Sequence, residues 1–319
     1  MLPQLEPVTE PTMYFIGVTT GSSSIMRVFP AWAEHLGLDA RIKGIDLPLH
    51  ADPQAYRDVV AFIREDPQSV GALVTTHKLD LLEAARDLFD ELGDDAETLS
   101  EISSISKRDG RLVGHAMDPI TSGLALEAIV ADGGWGDGEL VILGAGGSSL
   151  ALTLYLHRRR AAGRDIPRRL VVTNRSPGRL EEMRSIHDRL GFAIPTEYVH
   201  APAPGDNDRQ LAALPDGSVV INATGLGKDR SGSPLTDEAR FPRGGVAWDF
   251  NYRGDLLFLE QAERQREARS LRLVDGWEYF IHGWTRVIAE VFDLEIPTAG
   301  PEFDRISQIA RSTTSGART

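Results

Sequence analysis

The sequence contains no cysteine among its 319 residues. That absence excludes disulfide bridges, thiolate metal sites and cysteine nucleophiles. Long apolar runs are missing as well: the longest apolar region, residues 140–156, is interrupted by glycines, so no membrane-spanning helix is expected. Residues 1–11 are acidic and contain proline, unlike the basic and apolar segments of a signal peptide. We therefore expect a cytoplasmic protein.

Positive charge is scarce, because 34 lysines and arginines face 47 aspartates and glutamates and give a net charge of −13. This balance opposes binding to nucleic acid or to an anionic membrane, but it does not exclude a local basic pocket. His77, Asp118 and His282 lack the spacing of metal ligands, so no metal site is expected. Internal repeats and low-complexity tracts are absent from the sequence. A monomer and a homodimer both stay open.

A glycine cluster between two apolar patterns is the most informative stretch of the chain. Leu140–Leu143 predicts a buried parallel strand, and residues 150–156 predict a helix. The turn between them consists of Gly144, Ala145, Gly146, Gly147 and Ser148. Such a turn lets the backbone approach a pyrophosphate, which the amides at the helix N-terminus then face. Ser149 takes the place of the usual third glycine, and the stretch predicts a dinucleotide-binding βαβ unit.

The next predicted strand, residues 170–173, ends in residues that indicate which dinucleotide is bound. Asn174, Arg175 and Arg179 follow it. An NAD site would place a carboxylate here to accept from the ribose hydroxyl, whereas guanidinium groups bind phosphate oxygens in paired hydrogen bonds. The pattern therefore favours the 2′-phosphate of NADP. The alternative is that both arginines are merely solvated at a helix start, a place that disfavours cations.

Before this unit, the hydrophobic pattern predicts a separate α/β domain. Its strands are predicted at Met13–Val18, Arg41–Leu47, Val70–Val74, Ile102–Ser106 and Leu112–His115. Its helices are predicted at 25–36, Pro53–Glu65 and Leu79–Phe89. The Asp109-Gly110 pair is a turn between the last two strands. The hydrophobic content of 41% is typical of a globular chain, and 319 residues suffice for two domains.

The second domain continues the alternation of strands and helices. Further strands are predicted at Thr196–Tyr198, Val219–Asn222 and Gly245–Phe250, and further helices at Ile120–Ala131, Arg179–Leu190, Leu256–Arg269 and Trp277–Phe292. We place a first, substrate-binding domain at residues 1–117 and a nucleotide-binding domain at 118–276. The segment 277–319 is expected either to pack back on the first domain or, over residues 300–319, to remain mobile.

Several motifs occur in the order in which one enzyme family has them. They are Val74–Lys78, Asp109–Asp118, Gly144–Gly147, Asn174–Ser176, Ile221–Thr224, Asp249–Tyr252 and Asp275–Gly276. Over nearly its whole length the chain therefore resembles the shikimate dehydrogenase family, although Val74–Lys78 is one residue shorter than that family's Val-Thr-x-Pro-His-Lys motif. The resemblance implies an NADP(H)-dependent oxidoreductase with an N-terminal α/β substrate domain and a C-terminal Rossmann-type domain built on a doubly wound parallel sheet. It also implies that Asn222, Thr224 and Gly225 bind the cofactor.

The resemblance places Lys78 and Asp118 on the family's catalytic pair. Oxidation of a ring alcohol requires removal of a hydroxyl proton while a hydride goes to the nicotinamide. A lysine in a desolvated cleft can have its pKa lowered towards neutrality and serve as acid and base, while a nearby carboxylate orients it. Without the motif, Lys78 would be interpreted as a solvated helix start and Asp118 as an N-cap before Pro119.

The positions that contact substrate in the family depart from its pattern. The departures are Leu73, Ser103, Ala116, Met117 and Gly283. The residues then implied for substrate binding are Ser22, Ser23, Ser24, Thr75, Ser103, Tyr252 and His282. His282 is equally interpretable as a histidine of the core. Because a polar pocket binds a mismatched ligand poorly, we predict another small cyclic polyol or hydroxy acid as substrate. The alternatives are a true shikimate or quinate dehydrogenase and a non-catalytic NADP(H)-binding sensor.

Overall fold

The computed structural model describes residues 5–130, 134–227 and 230–315. The chain divides into two compact units. Described residues up to Met117, together with those from Gly283 onwards, form the first unit, and Asp118–His282 forms the second. The first unit is therefore built from two separate segments of the chain, and the second from one continuous segment.

The first unit contains a six-stranded mixed sheet. Its strands are β1 Thr12–Gly17, β2 Arg41–Asp46, β3 Ser69–Val74, β4 Glu91–Leu92, β5 Ser104–Arg108 and β6 Arg111–His115, in the order β2-β1-β3-β5-β6-β4. β1, β2 and β3 run parallel, whereas β5 is antiparallel to both β3 and β6. Asp109 and Gly110 join β5 to β6 with φ angles of 50° and 76°, as a two-residue type I′ turn requires.

In the described residues of its first segment, this unit has four α-helices: α1 Ile25–Leu36, α2 Pro53–Glu65, α3 Lys78–Ala85 and α4 Asp94–Leu99. The predicted helix Leu79–Phe89 is too long, because α3 ends at Ala85 and Arg86–Leu88 forms a 3-10 turn. β4 and α4 escape a prediction based on periodicity, since two and six residues contain too few repeats to show one.

The second unit contains a six-stranded sheet that is parallel throughout. Its strands are β7 Leu140–Leu143, β8 Leu170–Asn174, β9 Thr196–His200, β10 Val219–Asn222, β11 Val246–Asp249 and β12 Arg272–Val274. They lie in the order β12-β11-β10-β7-β8-β9. This is the doubly wound Rossmann order. Strands β7 to β9 are added towards one edge of the sheet and β10 to β12 towards the other, so the strand order reverses between β7 and β10. The predicted fold class is confirmed.

Among its described residues up to 269, the second unit has six helices. They are α5 Asp118–Ile129, α6 Gly147–Ala161, α7 Pro177–Leu190, α8 Pro204–Ala212, α9 Leu257–Glu263 and α10 Arg266–Arg269. The predicted helix Ile120–Ala131 starts earlier, at Asp118, and its predicted last residue Ala131 lies outside the described residues. The predicted helix Leu256–Arg269 is wrong as one element, because the chain breaks between α9 and α10. None of the helices described has the length and apolar character needed to cross a bilayer.

Both faces of the second sheet are buried, and alternate residues of each strand pack on opposite sides. In β7, Leu140 and Ile142 belong to one hydrophobic cluster, whereas Val141 and Leu143 belong to the other. All four side chains are 0% exposed. Continuous apolar strands of this kind are typical of parallel sheets covered by helices on both sides. The carboxyl edge of the sheet is consequently the place where its polar residues gather.

His187 of α7 is a buried polar residue of this core. Its Nε2 donates to Thr153 Oγ1 at 2.8 Å, its Nδ1 accepts from Tyr198 Oη at 2.6 Å, and its ring stacks on Phe192 with centroids 4.1 Å apart. The Thr153 hydroxyl itself donates to the Leu150 carbonyl at 2.8 Å, which leaves its oxygen to accept from the imidazole. Burial, reinforced by nearby His157, lowers the pKa of His187 to about 4. The neutral ring is therefore the native form.

We expect His187 to make the protein unstable in acid. The unfolded chain binds a proton at His187 below its ordinary pKa of about 6.5, whereas the native ring does not until about pH 4. The contribution of His187 to stability is therefore complete above pH 6.5 and decreases by roughly 3 kcal/mol as the pH falls towards 4. Urea unfolding of wild type and His187→Gln at pH 7, 6, 5 and 4.5 measures this contribution as the change with pH in the stability difference between the two proteins. The corresponding difference for His50→Gln, whose side chain is 87% exposed, should not show this decrease.

The C-terminal part of the chain is helical: α11 is Trp277–Phe292 and α12 is Pro301–Ser315. Within the first unit, α12 packs on α1. The Trp32 indole of α1 donates to the Ile306 carbonyl at 2.9 Å, and Phe303, Ile306 and Ala310 are buried. The described part of the tail, up to Ser315, thus lies against α1 within the first unit, and residues 316–319 lie outside the described residues.

Candidate functional site

The glycine turn after β7 has a conformation and a neighbour that only glycine tolerates. Gly144 has a φ of +110°, and a Cβ built on it would lie 2.8 Å from the Ala223 carbonyl oxygen. The turns that follow β7 and β10 therefore touch through bare backbone at the reversal of strand order. Gly146 immediately precedes α6 and has open space where a side chain would lie. Ser149 stabilises the turn, because its hydroxyl donates a hydrogen bond to the Gly144 carbonyl at 2.7 Å.

A pocket of about 610 Å³ lies at this edge of the sheet, beside the carboxyl ends of β7, β8 and β10. Its lining residues are Gly144, Ala145, Gly146, Thr173, Asn174, Arg175, Ser176, Arg179, Ala201, Pro202, Ala203, Pro204, Asn207, Ala223, Thr224, Leu226, Arg230, Ser233 and Pro234. Every one of them belongs to the second unit. Seven were predicted as cofactor residues: Gly144, Ala145, Gly146, Asn174, Arg175, Arg179 and Thr224. Gly147 and Ser148 form the adjoining first turn of α6 instead.

Among the residues that the structure describes, every charged side chain that lines this pocket is basic. These are Arg175, Arg179 and Arg230, although the whole chain has a net charge of −13. Arg179 pairs with Glu182 of its own helix at 2.8 Å. The Arg175 carbonyl accepts from His200 Nε2 at 3.1 Å, which ties the turn after β8 to the end of β9. Such a cluster suits a multiply charged anion.

Sequence reasoning missed Arg230 and the proline-rich wall of residues 201–204. Arg230 lies in a loop, and residues 201–204 connect β9 to the first residue of α8, so only the fold brings them to the pocket. Arg230 returns to the turn after β10 through backbone contacts, since Gly227 N donates to its carbonyl at 2.7 Å. The one available signal in the sequence was the position of both segments after strands of the parallel sheet, where ligand contacts gather.

Asn222 was predicted to bind the cofactor, but it does not line the pocket. Its side chain is fully buried, donates to Asp249 Oδ2 at 2.9 Å and accepts from the Thr224 hydroxyl at 2.7 Å. Asp249 also accepts from Asn251 N at 2.8 Å, and burial raises the pKa of its carboxyl to about 6. This network fixes the turn after β10 and orients Thr224, which does line the pocket. Gly225 follows with a φ of +73° and is also absent from the lining.

In the first unit, the predicted catalytic lysine begins a helix directly after a tight turn. Thr75 N donates to the Ile16 carbonyl at 3.0 Å, so the turn lies beside the end of β1. Thr76 has a φ of +57°, and His77 N donates back to the Thr75 carbonyl. Lys78 is the first residue of α3 and is half-buried. The turn thus accommodates the motif that is one residue shorter than the pattern it resembles.

The predicted serines of the first unit differ in accessibility. Ser22 is exposed and donates to the Thr19 carbonyl at 2.9 Å, Ser23 is half-buried, and Ser24 is buried at the start of α1. Ser103 is 3% exposed, and its hydroxyl accepts from Met117 N at 2.7 Å. The Ser103 hydroxyl therefore anchors the backbone just before Asp118.

Asp118, Tyr252 and His282 belong to the second unit. Asp118 is the half-buried first residue of α5, and its carbonyl accepts from Ser122 Oγ at 2.7 Å. The Tyr252 ring packs against Phe280 and Trp277, with centroids 4.5 and 5.7 Å away. His282 is 2% exposed, which favours the interpretation as a core histidine. Nowhere in the described ranges do three or more His, Asp or Glu side chains converge as metal ligands would.

Comparison with known proteins decides the family. No protein-family model matches the chain. A shikimate dehydrogenase (NADP(+)) of Thermus thermophilus is 31% identical over 244 residues, which cover 76% of this chain and 78% of that protein. The chain belongs to the shikimate dehydrogenase family. The resemblance found in its motifs is therefore confirmed.

Solved structures give the same fold for this member of the shikimate dehydrogenase family. The shikimate dehydrogenase of Aquifex aeolicus superposes with a TM-score of 0.71 at 17% identity, covering 96% of this chain and 97% of that one. A 5-ketofructose reductase from a Gluconobacter species superposes with a TM-score of 0.70 at 17% identity, covering 95% and 99%. At these identities the likeness concerns the fold, which these two proteins use with differently named substrates.

Proposed function

We propose that this chain is an NADP(H)-dependent dehydrogenase that interconverts a secondary alcohol and a ketone on a small cyclic polyol or hydroxy acid. The observation that carries the proposal is the pocket at the reversal of strand order, which is lined by Arg175, Arg179 and Arg230 and, within the described part of the chain, by no acidic residue. A site for NAD would offer a carboxylate to the ribose. The name of the Thermus thermophilus relative, which includes NADP(+), supports the same cofactor.

Different residues of the second unit would bind different parts of NADP. Gly144 and Gly146 keep side chains away from the place where the pyrophosphate would lie, and the amides of Gly147 and Ser148 open α6 towards it. The arginines would bind the 2′-phosphate. Thr224 would contact the cofactor, while Asn222 and Gly225 shape the turn that presents it.

Lys78 and Asp118 would carry out the transfer of the substrate hydroxyl proton. NADP, when bound, accepts or supplies the hydride. In oxidation the Lys78 amine takes the hydroxyl proton of the substrate, and in reduction its ammonium returns that proton to the carbonyl oxygen. The Asp118 carboxylate would orient the amine and the substrate hydroxyl. The start of α3 is a suitable position for the lysine, since a helix N-terminus opposes a positive charge and so favours the neutral base.

The substrate would differ from shikimate in how it is held. Ser22, Ser23 and Thr75 lie in the turns after β1 and β3, and a Cβ on Gly17 would be 3.1 Å from the Thr75 side chain, so these turns adjoin. Ser103, by contrast, is engaged by Met117 N. A polyol or hydroxy acid with fewer groups on that side would suit the site, and Tyr252 and His282 would contribute through packing more than through direct contact.

The test is to follow reduced nicotinamide absorbance with NADP and with NAD over a panel that contains shikimate, quinate, aminoshikimate and carbasugars. We expect NADP-dependent turnover of a member other than shikimate. Turnover of shikimate or quinate alone would overturn the substrate assignment and leave the dehydrogenase assignment in place. Tight NADPH binding with no turnover across the panel would overturn the enzyme assignment in favour of a nucleotide-binding sensor.

A further inference from the structure

The turn that presents Lys78 is strained. Thr76 is β-branched and has a φ of +57°, a left-handed conformation that costs an L-residue roughly 1–2 kcal/mol. The next amide, His77 N, folds back onto the Thr75 carbonyl, and α3 begins one residue later. A turn of this kind persists only where surrounding contacts hold it in place. Those contacts fix the position and direction of the Cα–Cβ bond of Lys78.

Besides these backbone hydrogen bonds, the hydroxyl of Tyr56 of α2 contacts this segment. Tyr56 is 1% exposed, and its hydroxyl lies 3.0 Å from His77 Nδ1 and 3.4 Å from Asp80 Oδ2. Ala51 N donates to the same oxygen at 3.2 Å. A hydroxyl offers one donor and two acceptor sites, so these three partners saturate it when His77 carries its proton on Nδ1. Burial raises the pKa of Tyr56, which keeps the hydroxyl protonated and able to donate to Asp80.

The Tyr56 hydroxyl thus joins residues on both sides of Lys78. His77 precedes the lysine and is 1% exposed, while Asp80 lies within the first turn of α3. His77 makes no side-chain cap for the helix, because its ring is directed to Tyr56 instead, and only its carbonyl enters the helix, accepting from Leu81 N at 2.8 Å. Both neighbours are fixed, so the Cα–Cβ direction of Lys78 is fixed with them.

A second contact from α2 holds the other end of the same helix. Arg57 donates to the Ala84 carbonyl at 2.8 Å and pairs with Asp87, at the C-terminal end of α3. α2 therefore fixes α3 at two places, of which one adjoins Lys78 and the other does not. This arrangement provides an internal comparison between general support of the helix and placement of the lysine.

We propose that Tyr56 is a positioning residue for Lys78, acting through its hydrogen bonds to His77 and Asp80 to fix the strained turn at the start of α3. The inference rests on the proposed function, in which the Lys78 amine transfers the proton. Tyr56 itself touches neither substrate nor cofactor in this scheme. Its loss affects the rate of proton transfer by displacing the amine.

Tyr56→Phe keeps the buried ring and removes only the hydroxyl. We expect kcat to fall about tenfold, since small misplacements of a catalytic group reduce rates by factors of this order. The KM values for NADPH and for the polyol should stay within about twofold, because no binding contact is removed. Steady-state kinetics on the substrate found in the panel measure both. Equal kcat values in Tyr56→Phe and wild type would overturn the inference.

Two variants separate positioning from general loosening. Tyr14→Phe removes another buried tyrosine hydroxyl of the first unit, one that has no hydrogen-bond partner within the described part of the chain, and should leave kcat and the melting temperature unchanged. Arg57→Met removes the support at the far end of α3 and should lower the melting temperature while sparing kcat. An Arg57→Met variant that loses kcat as Tyr56→Phe does would show that any loosening of α3 suffices, and would contradict a specific role for Tyr56.

A measurement that does not depend on catalytic turnover distinguishes failure of this inference from failure of the proposed function. The chain has four lysines, at 43, 78, 107 and 228, and Lys43 is exposed. Trace acetylation read by mass spectrometry gives the reactivity of Lys78 relative to Lys43. We expect Tyr56→Phe to move that ratio at least about twofold towards unity. If wild type turns over no polyol, the proposed function is wrong, and an unchanged ratio would then contradict the positioning role independently.

Discussion

Replacing Lys78 with alanine is expected to lower kcat by about 10³-fold while leaving the Kd for NADPH within about twofold of wild type. Lys78 belongs to the first unit, whereas every residue that lines the basic pocket belongs to the second. Removing the amine therefore removes the proposed proton donor and acceptor and leaves every residue that lines the basic pocket in place. Steady-state kinetics and a fluorescence titration with NADPH measure the two quantities separately.

The matched control for this experiment is Lys43→Ala, which removes an exposed lysine of the same unit and should change neither quantity. Lys78→Gln, closer in length, guards against a folding defect and should be as inactive as the alanine variant. Turnover that survives in both Lys78 variants would show that another group moves the proton. A parallel loss of NADPH binding would show instead that the lysine supports the cofactor site.

The second large effect is expected at Arg175. Arg175→Ala should raise the KM for NADPH by about 10–100-fold and leave the KM for NADH nearly unchanged, because a guanidinium–phosphate contact contributes about 1.5–3 kcal/mol. Only the 2′-phosphate distinguishes the two cofactors. The ratio of kcat/KM for NADPH over NADH is therefore the quantity to measure, first in Arg175→Ala and then with Arg230→Ala added.

Arg160→Ala is the control for charge, since Arg160 is an exposed arginine of α6 in the same unit and does not line the pocket. It should leave the cofactor ratio unchanged. A loss that is equal for NADPH and NADH in Arg175→Ala would assign the arginine to the pyrophosphate. An unchanged KM for both cofactors would remove Arg175 from the binding site altogether.

The elements that could be predicted from the sequence are those long enough to show a period or a continuous apolar run. Pro53–Glu65 and Trp277–Phe292 were predicted with the bounds observed, because each shows several helical repeats. α8 was missed, since Asn207 and Leu211 are its only buried residues and leave little apolar periodicity. β12 was missed because its three residues begin with an exposed arginine. Tertiary pairing with β11, and not local preference, makes it a strand.

In the candidate site too, residues of a local sequence motif could be predicted, whereas residues that only the fold brings to the site could not. Gly144, Arg175 and Arg179 could be predicted because strand, turn and helix are adjacent in sequence and the fingerprint is local. Arg230 could not, because its approach to the pocket depends on the fold of a loop after β10. Asn222 was assigned to the cofactor on the resemblance alone. It lies buried beside Asp249 and outside the pocket lining, and its contact with the cofactor stays a prediction. Tyr56 carries no motif, and its hydroxyl partners come from three places along the chain.

The two-segment construction of the first unit has a consequence for biosynthesis. Residues 118–282 are continuous and contain a complete parallel sheet, so this unit can fold as soon as it leaves the ribosome. The first unit cannot complete its packing until α12 is made, because α12 covers α1 through the contact between Trp32 and Ile306. Until then the Trp32 indole lacks its hydrogen-bond acceptor, the Ile306 carbonyl. A helix that follows the whole second unit in the chain is thus needed to complete the first unit.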